Sequence, residues 1–130
     1  MQVLYFDLDG FKPVNDRFGH AAGDLILREV GARICAELRM SDVVSRIGGD
    51  EFTAFFADTP NRQEPRDVID RVAAALHRPY VVRGQEVSVG CTIGASIYPA
   101  DGQDTATLIG IADAAMYREK ERRRGDLLQR

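Results

Sequence analysis

Apolar and polar positions along the chain follow two periods, and each period predicts a different element. Val3-Leu4-Tyr5-Phe6 is an unbroken apolar run that ends in carboxylates, the pattern of a buried strand. Pro13 suits a helix start. Between Ala21 and Leu38, the residues Leu25, Ile26, Val30, Ile34 and Leu38 recur near helical spacing. Asp42 to Ile47 and Glu51 to Ala57 predict two strands around Gly48-Gly49, a two-residue hairpin signal. Arg66 to His77 is predicted helical, with Val68, Ile69, Val72, Ala73 and Leu76 on one side. Tyr80 to Val82 and Glu86 to Val89 flank Arg83-Gly84-Gln85, a second and smaller hairpin. Cys91 to Tyr98 predicts a strand stopped by Pro99, and Thr105 to Arg123 a final helix with Leu108, Ile111, Ala112, Ala115 and Met116 facing in. The expected fold is α+β: a mostly antiparallel central sheet, helices packed on its faces with two sharing one face, and an extra β-hairpin.

Length and composition narrow the class without changing that picture. At 130 residues the chain suits one compact domain, expected to span 1–130. A 45% hydrophobic and 28% charged composition excludes disorder, collagen and a disulfide scaffold. The longest uncharged stretch, Val87 to Ala100, is too short and too polar to span a bilayer. No signal peptide follows Met1, and two cysteines without pairing or metal-ligand spacing make a reducing cytoplasm the expectation. Both Cys35 and Cys91 are expected to act as small core hydrophobes.

Charge is unevenly spread. Residues 1–117 carry 11 basic and 17 acidic groups, whereas residues 118–130 carry 6 basic and 3 acidic. An acidic body argues against nucleic acid as a partner, because phosphate backbones demand a broad basic face. Asp7, Asp9, Asp16, Asp24, Asp50 and Glu51 all fall in the first 51 residues. If they converge they must bind cations or repel one another.

Two of these groups carry candidate chemistry. Asp7 and Asp9, two apart at a strand end, share a face. Burying them unpaired is costly, so they are either solvated at a strand exit or held by a hard cation such as Mg²⁺. Gly48-Gly49-Asp50-Glu51 sets two more carboxylates at the start of the apolar strand that includes Phe52 to Phe56. A third carboxylate beside the first strand completes a plausible two-cation site. Of 17 basic residues only Lys12 and Lys120 are lysine, and each gives a compact point charge suited to phosphate.

The segment Arg46-Ile47-Gly48-Gly49-Asp50-Glu51-Phe52 resembles the signature of the GGDEF domain, the diguanylate cyclase module of bacterial signalling. Phe6-Asp7-Leu8-Asp9-Gly10-Phe11-Lys12, Asn15-Asp16, Phe18-Gly19-His20 and Gly23-Asp24 are similar to the family's first-strand and first-helix motifs. Thr92-Ile93-Gly94, Ala112-Asp113 and Met116-Tyr117 with Lys120 resemble its C-terminal motifs. The resemblance implies a ferredoxin-like core akin to the palm of nucleotidyl cyclases. It also implies roles. Asp7, Asp50 and the Leu8 carbonyl would hold Mg²⁺ or Mn²⁺, with Glu51 beside the metals and Asp50 also the base. Asn15 and Asp24 would read the guanine edge. Gly10, Phe11, Lys12, Lys120 and Arg124 would hold the triphosphate, with Gly48 and Gly49 at the nucleotide. His20 would either face the nucleotide or pack at a helix start. Arg39-Met40-Ser41-Asp42 resembles the family's Arg-x-x-Asp inhibitory motif, with Arg71 a further candidate for that product site.

The preceding helix and the Asp-x-Leu-Thr-Gly-Leu-x-Asn-Arg segment usual in the family are not in this sequence, and Gly125 follows Arg124 where the family has Asn. The expectation is a piece of a larger signalling protein, and the hairpin Pro79 to Val87 looks like those in GGDEF domains fused to an EAL phosphodiesterase domain. Two functions follow from the resemblance. One is a cyclase joining two GTP into cyclic di-GMP plus two pyrophosphates in a homodimer, with product feedback. The alternative is an inactive GGDEF-like module that binds GTP or cyclic di-GMP. No membrane contact by this domain is expected.

Overall fold

The computed structural model describes residues 1–57 and 65–128. The elements are β1 (Gln2–Asp9), α1 (Phe11–Phe18), α2 (His20–Ala36), β2 (Val43–Gly48), β3 (Glu51–Phe56), α3 (Pro65–His77), β4 (Tyr80–Val82), β5 (Gln85–Val87), β6 (Gly90–Ile97) and α4 (Thr105–Leu128). Four strands form a sheet in the order β2-β3-β1-β6, and every neighbouring pair is antiparallel. The fold is the expected α+β one, with β4 and β5 as the separate hairpin.

β1 is central and apolar on both faces because each face meets a helix layer. Leu4, Phe6 and Leu8 join one core with Ile26, Val30 and Ile34 of α2 and Val68, Val72 and Leu76 of α3. Val3 and Tyr5 join a second core with Leu108, Ala112 and Met116 of α4. The expected pair of helices on one face is thus α2 and α3, and α4 covers the other. Phe6 and Phe52 stack across β1 and β3, their ring centroids 5.6 Å apart and their planes 7° from parallel. Truncating a buried ring of this kind to Ala costs about 3–5 kcal/mol.

Gly94 sets how close α4 lies to the sheet. A Cβ there would meet the Ala112 carbonyl oxygen at 2.1 Å and the Met116 nitrogen at 2.2 Å. Only a residue without a side chain admits the helix at that distance. The contact sets the next turn of α4, with Lys120 and Arg123, over the carboxylate end of β1.

Several local expectations are corrected. The first hairpin turns at Gly49-Asp50 instead of Gly48-Gly49, because Gly48 pairs with Glu51 after an irregularity between Arg46 and Gly48. Gly49, at φ 54°, supplies the left-handed turn conformation. The small hairpin has a two-residue turn at Arg83-Gly84, both with positive φ, so Gln85 belongs to β5 and Val89 lies beyond it. α2 runs from His20 to Ala36, separated by Gly19 from α1, which carries Pro13 in its first turn. α4 continues past Arg123. Cys91 is buried and burial pushes its thiol up to about 11, but Cys35 is exposed, one position beyond buried Ile34 on α2. Among the described residues, no helix is long and apolar enough to cross a membrane.

Candidate active site

Strand alternation places Asp7 and Asp9 on the α4 face of β1, below Val3 and Tyr5. The turn after β2 comes alongside: Asp7 pairs with Glu51, and the Leu8 N–H donates to the Asp50 carbonyl at 3.2 Å. Asp7 is 9% exposed. Its Oδ2 accepts from Lys120 Nζ at 2.6 Å, while its Oδ1 is buried with no hydrogen-bond partner. Burial first, then the charge and the side-chain contact of Asp7, push the Asp50 carboxyl up to about 6, with its own backbone and Lys120 opposing the shift. Burial works against the Lys120 ammonium, but Asp7, Asp9 and Asp50 outweigh it and hold its pKa above the ordinary lysine range.

Asp9 is held differently. Thr92 Oγ1 donates to both its oxygens at 2.9 and 2.8 Å, Arg123 Nη1 lies 3.2 Å from Oδ2, and Lys120 stands 3.7 Å from Oδ1. Arg123 also donates to the Cys91 carbonyl at 3.0 Å. Asp9, Thr92, Lys120, Arg123 and Arg124 line an open cavity of about 320 Å³. Arg124 is exposed, pairs with Glu121 at 3.4 Å, and reaches the same cavity from its rim. Glu51 is fixed by Tyr5, whose hydroxyl donates to Oε2 at 2.9 Å. Burial first, then the Glu51 contact, pushes the Tyr5 hydroxyl up to about 12.

The remaining site residues surround this centre. Gly10, at φ 77°, turns the chain from β1 into α1, which begins with Phe11 and exposed Lys12. Asn15 lies against the backbone of α2: a Cβ on Gly23 would meet its Oδ1 at 2.1 Å. Asn15 Nδ2 is 3.3 Å from His20 Nδ1, and exposed Asp24 follows Gly23. Asp24 lines a cavity of about 370 Å³ with Leu27, Arg28 and Arg46. Gly48 and Gly49 are exposed at the turn.

Asp42 lies at the opposite end of β2 and is 8% exposed. Its Oδ2 accepts from the Arg39 N–H and its Oδ1 from the Ala57 N–H, both at 2.8 Å. Arg71 pairs with Glu37 at 2.7 Å, two residues before Arg39. The structure therefore groups the carboxylates with Lys120, sets Asn15 with His20, and leaves the Arg39–Asp42 turn apart. Sequence reasoning missed Thr92, Arg123 and Tyr5 as members of the site. Among the described residues, no three His, Cys, Asp or Glu side chains converge as a ready metal cage.

A four-stranded antiparallel sheet that ends in paired carboxylates, flanked by cations and a cavity, marks an α+β domain of the cyclase-fold class. The sequence pattern of the family described as diguanylate cyclase, GGDEF domain, matches residues 1–126, and the chain belongs to that family. It is 42% identical over 125 residues to the bifunctional diguanylate cyclase/cyclic di-GMP phosphodiesterase MucR of Pseudomonas aeruginosa, covering 94% of this chain and 18% of MucR. It is 40% identical over 126 residues to the diguanylate cyclase TpbB of the same organism, covering 96% of this chain and 29% of TpbB. The solved GGDEF domain of TpbB superposes with a TM-score of 0.84 over 93% of this chain and 76% of that one. An EAL/GGDEF domain protein from M. capsulatus, 36% identical, gives 0.83 over 93% of this chain and 78% of that one. The chain thus spans less than a third of the length of MucR and of TpbB.

Proposed function

We propose that this domain condenses two GTP molecules into cyclic di-GMP with release of two pyrophosphates, each subunit of a homodimer presenting one GTP to the other. The observation that carries the reading is the buried, unpartnered Oδ1 of Asp7 beside an Asp50 carboxyl held near 6. Two adjacent carboxylates, one with a buried oxygen that no donor meets, fit a hard divalent cation. Asp7, Asp50 and the Leu8 carbonyl would hold Mg²⁺ or Mn²⁺, which when bound polarises the α-phosphate.

The chain's own groups divide the remaining work. Asn15 and Asp24 read the guanine edge, with His20 buttressing Asn15. The main chain at Gly10 and Phe11, with Lys12, Lys120 and Arg124, neutralises the triphosphate, and Gly48 and Gly49 let the nucleotide approach the turn. In the reaction the 3′-oxygen of one GTP bonds to the α-phosphorus of the other, and the bond to pyrophosphate breaks. The 3′-hydroxyl proton passes to the Asp50 carboxylate. Glu51, held by Tyr5, keeps a second carboxylate beside the reacting oxygens.

Product feedback is proposed at Arg39, Asp42 and Arg71. Asp42 braces the turn that presents Arg39, and arginine stacks on guanine and forks onto phosphate. β2 has six residues, so at about 3.3 Å each this turn lies on the order of 20 Å from Gly48. Feedback then works by shifting the population of domain arrangements and not by direct competition. The test is incubation with GTP and Mg²⁺ followed by mass analysis of the nucleotides. Appearance of cyclic di-GMP and pyrophosphate is expected. GTP bound but unchanged would overturn the cyclase reading in favour of a regulatory binding module.

A further inference from the structure

We propose that Lys120 is a resident counter-cation for the carboxylate site: without a divalent ion it stands in the cation's place beside Asp7, and it leaves when a nucleotide's phosphates offer it a second anion. Nucleotide and divalent cation then load together, and neither holds the site well alone. The inference rests on the reading of Asp7 and Asp50 as cation ligands.

Three observations carry it. Lys120 Nζ sits 2.6 Å from Asp7 Oδ2 and 3.7 Å from Asp9 Oδ1, so its ammonium already supplies the positive charge these carboxylates require. The other basic groups that α4 brings to the cavity have further anchors of their own. Arg123 is tied to the Cys91 carbonyl, Thr92, Asp9 and Glu119, and Arg124 to Glu121. Among the described residues Lys120 bonds carboxylates of the site and no backbone group. Finally, Lys120 also lines the cavity of about 320 Å³ with Asp9, Thr92, Arg123 and Arg124. It can pass from Asp7 to that cavity by rotating its own stem, with no change in α4. Lysine suits the task because its charge is compact and its four-carbon stem flexible, whereas a guanidinium fork binds its carboxylate in one fixed geometry.

An ammonium and a divalent cation repel each other at one carboxylate, so the lysine lowers affinity for the free ion. It raises affinity for the nucleotide, to which it transfers. The two effects have opposite sign, which separates this role from simple loss of structure.

The experiment is a Mn²⁺ titration followed by electron paramagnetic resonance, without nucleotide, at one fixed pH for all variants. Wild type, Lys120→Met, Lys120→Gln and Asp7→Asn are compared, each checked for folding by circular dichroism. A non-hydrolysable GTP analogue is titrated in parallel. Both lysine variants are expected to bind Mn²⁺ about tenfold more tightly than wild type, a change of about 1.4 kcal/mol, and to bind the analogue more weakly. Asp7→Asn is expected to bind no Mn²⁺. Equal Mn²⁺ affinity in wild type and both lysine variants, with binding still lost in Asp7→Asn, would overturn the counter-cation role and leave the metal site standing. Retention of Mn²⁺ by Asp7→Asn, or no binding by wild type and lysine variants alike, would overturn the ligand reading and the counter-cation role with it.

Discussion

Asp7 and Asp42 are buried to nearly the same extent, at 9% and 8% exposure, yet their carboxylates live in opposite conditions. Asp42 uses both oxygens, accepting the N–H groups of Arg39 and Ala57 at 2.8 Å. Asp7 has one oxygen on Lys120 and one with no partner, and its charge adds to burial in pushing up the carboxyl of its neighbour Asp50. A satisfied buried carboxylate is a brace. One with an oxygen left unpaired beside a second carboxylate offers a place for a ligand. Burial alone does not separate the two; the hydrogen-bond inventory does.

The largest expected effect is at the unsatisfied end. Asp50→Ala is expected to lower cyclic di-GMP formation by roughly 10²–10⁴-fold, the range for a removed acid–base group, with the fold intact by circular dichroism. Wild-type turnover in that variant would remove Asp50 from the chemistry. The satisfied end answers in stability instead. Asp42→Ala strands two backbone N–H groups and is expected to cost about 2–4 kcal/mol in denaturant unfolding. Asp7→Asn in metal-free protein is expected to cost less, since it removes a charge that repels Asp50. Equal losses at the two positions would erase the contrast.

Smaller effects sharpen it. Asn15→Ala and Asp24→Ala should lower the preference for GTP over ATP by about 1–3 kcal/mol in calorimetry, because both are proposed to read the base and not the phosphates. Unchanged preference in both would mean the base is read elsewhere. A weaker effect is a pH slope. The Asp50 carboxyl is raised from 3.8 to about 6, so the folded chain holds its proton more tightly than the unfolded chain. Its contribution is fully present below 3.8 and is lost as pH rises through about 6. Metal-free Asp50→Asn should therefore gain stability relative to wild type across that interval, and a constant difference would show that the carboxyl is not perturbed.

The fold was legible where the pattern is local. Val3 to Phe6 read as a buried strand, and Asp7 and Asp9 could be placed on one face by alternation alone. The family resemblance and the scarcity of lysine singled out Lys120 for phosphate, but its ion pair with Asp7 was not legible. What stayed hidden depends on register and on how the helices sit. Tyr5 reaches Glu51 diagonally across β1 and β3, which no local signal reports. Arg123 and Arg124 both follow Lys120 by about one turn, and only the seating of α4 at Gly94 turns Arg123 inward to Asp9. The turn shifted by one residue because the irregularity after Arg46 lengthens β2 to Gly48.

The contrast between the two aspartates is tested most directly by Mn²⁺ binding in the presence of a non-hydrolysable GTP analogue, measured on wild type, Asp7→Asn and Asp42→Asn. Asn at position 42 keeps an oxygen to accept one of the two backbone N–H groups, so the turn survives. Bound Mn²⁺ is expected in wild type and in Asp42→Asn and is expected to vanish in Asp7→Asn. Undiminished Mn²⁺ binding by Asp7→Asn would contradict the assignment of the unsatisfied carboxylate as the cation site.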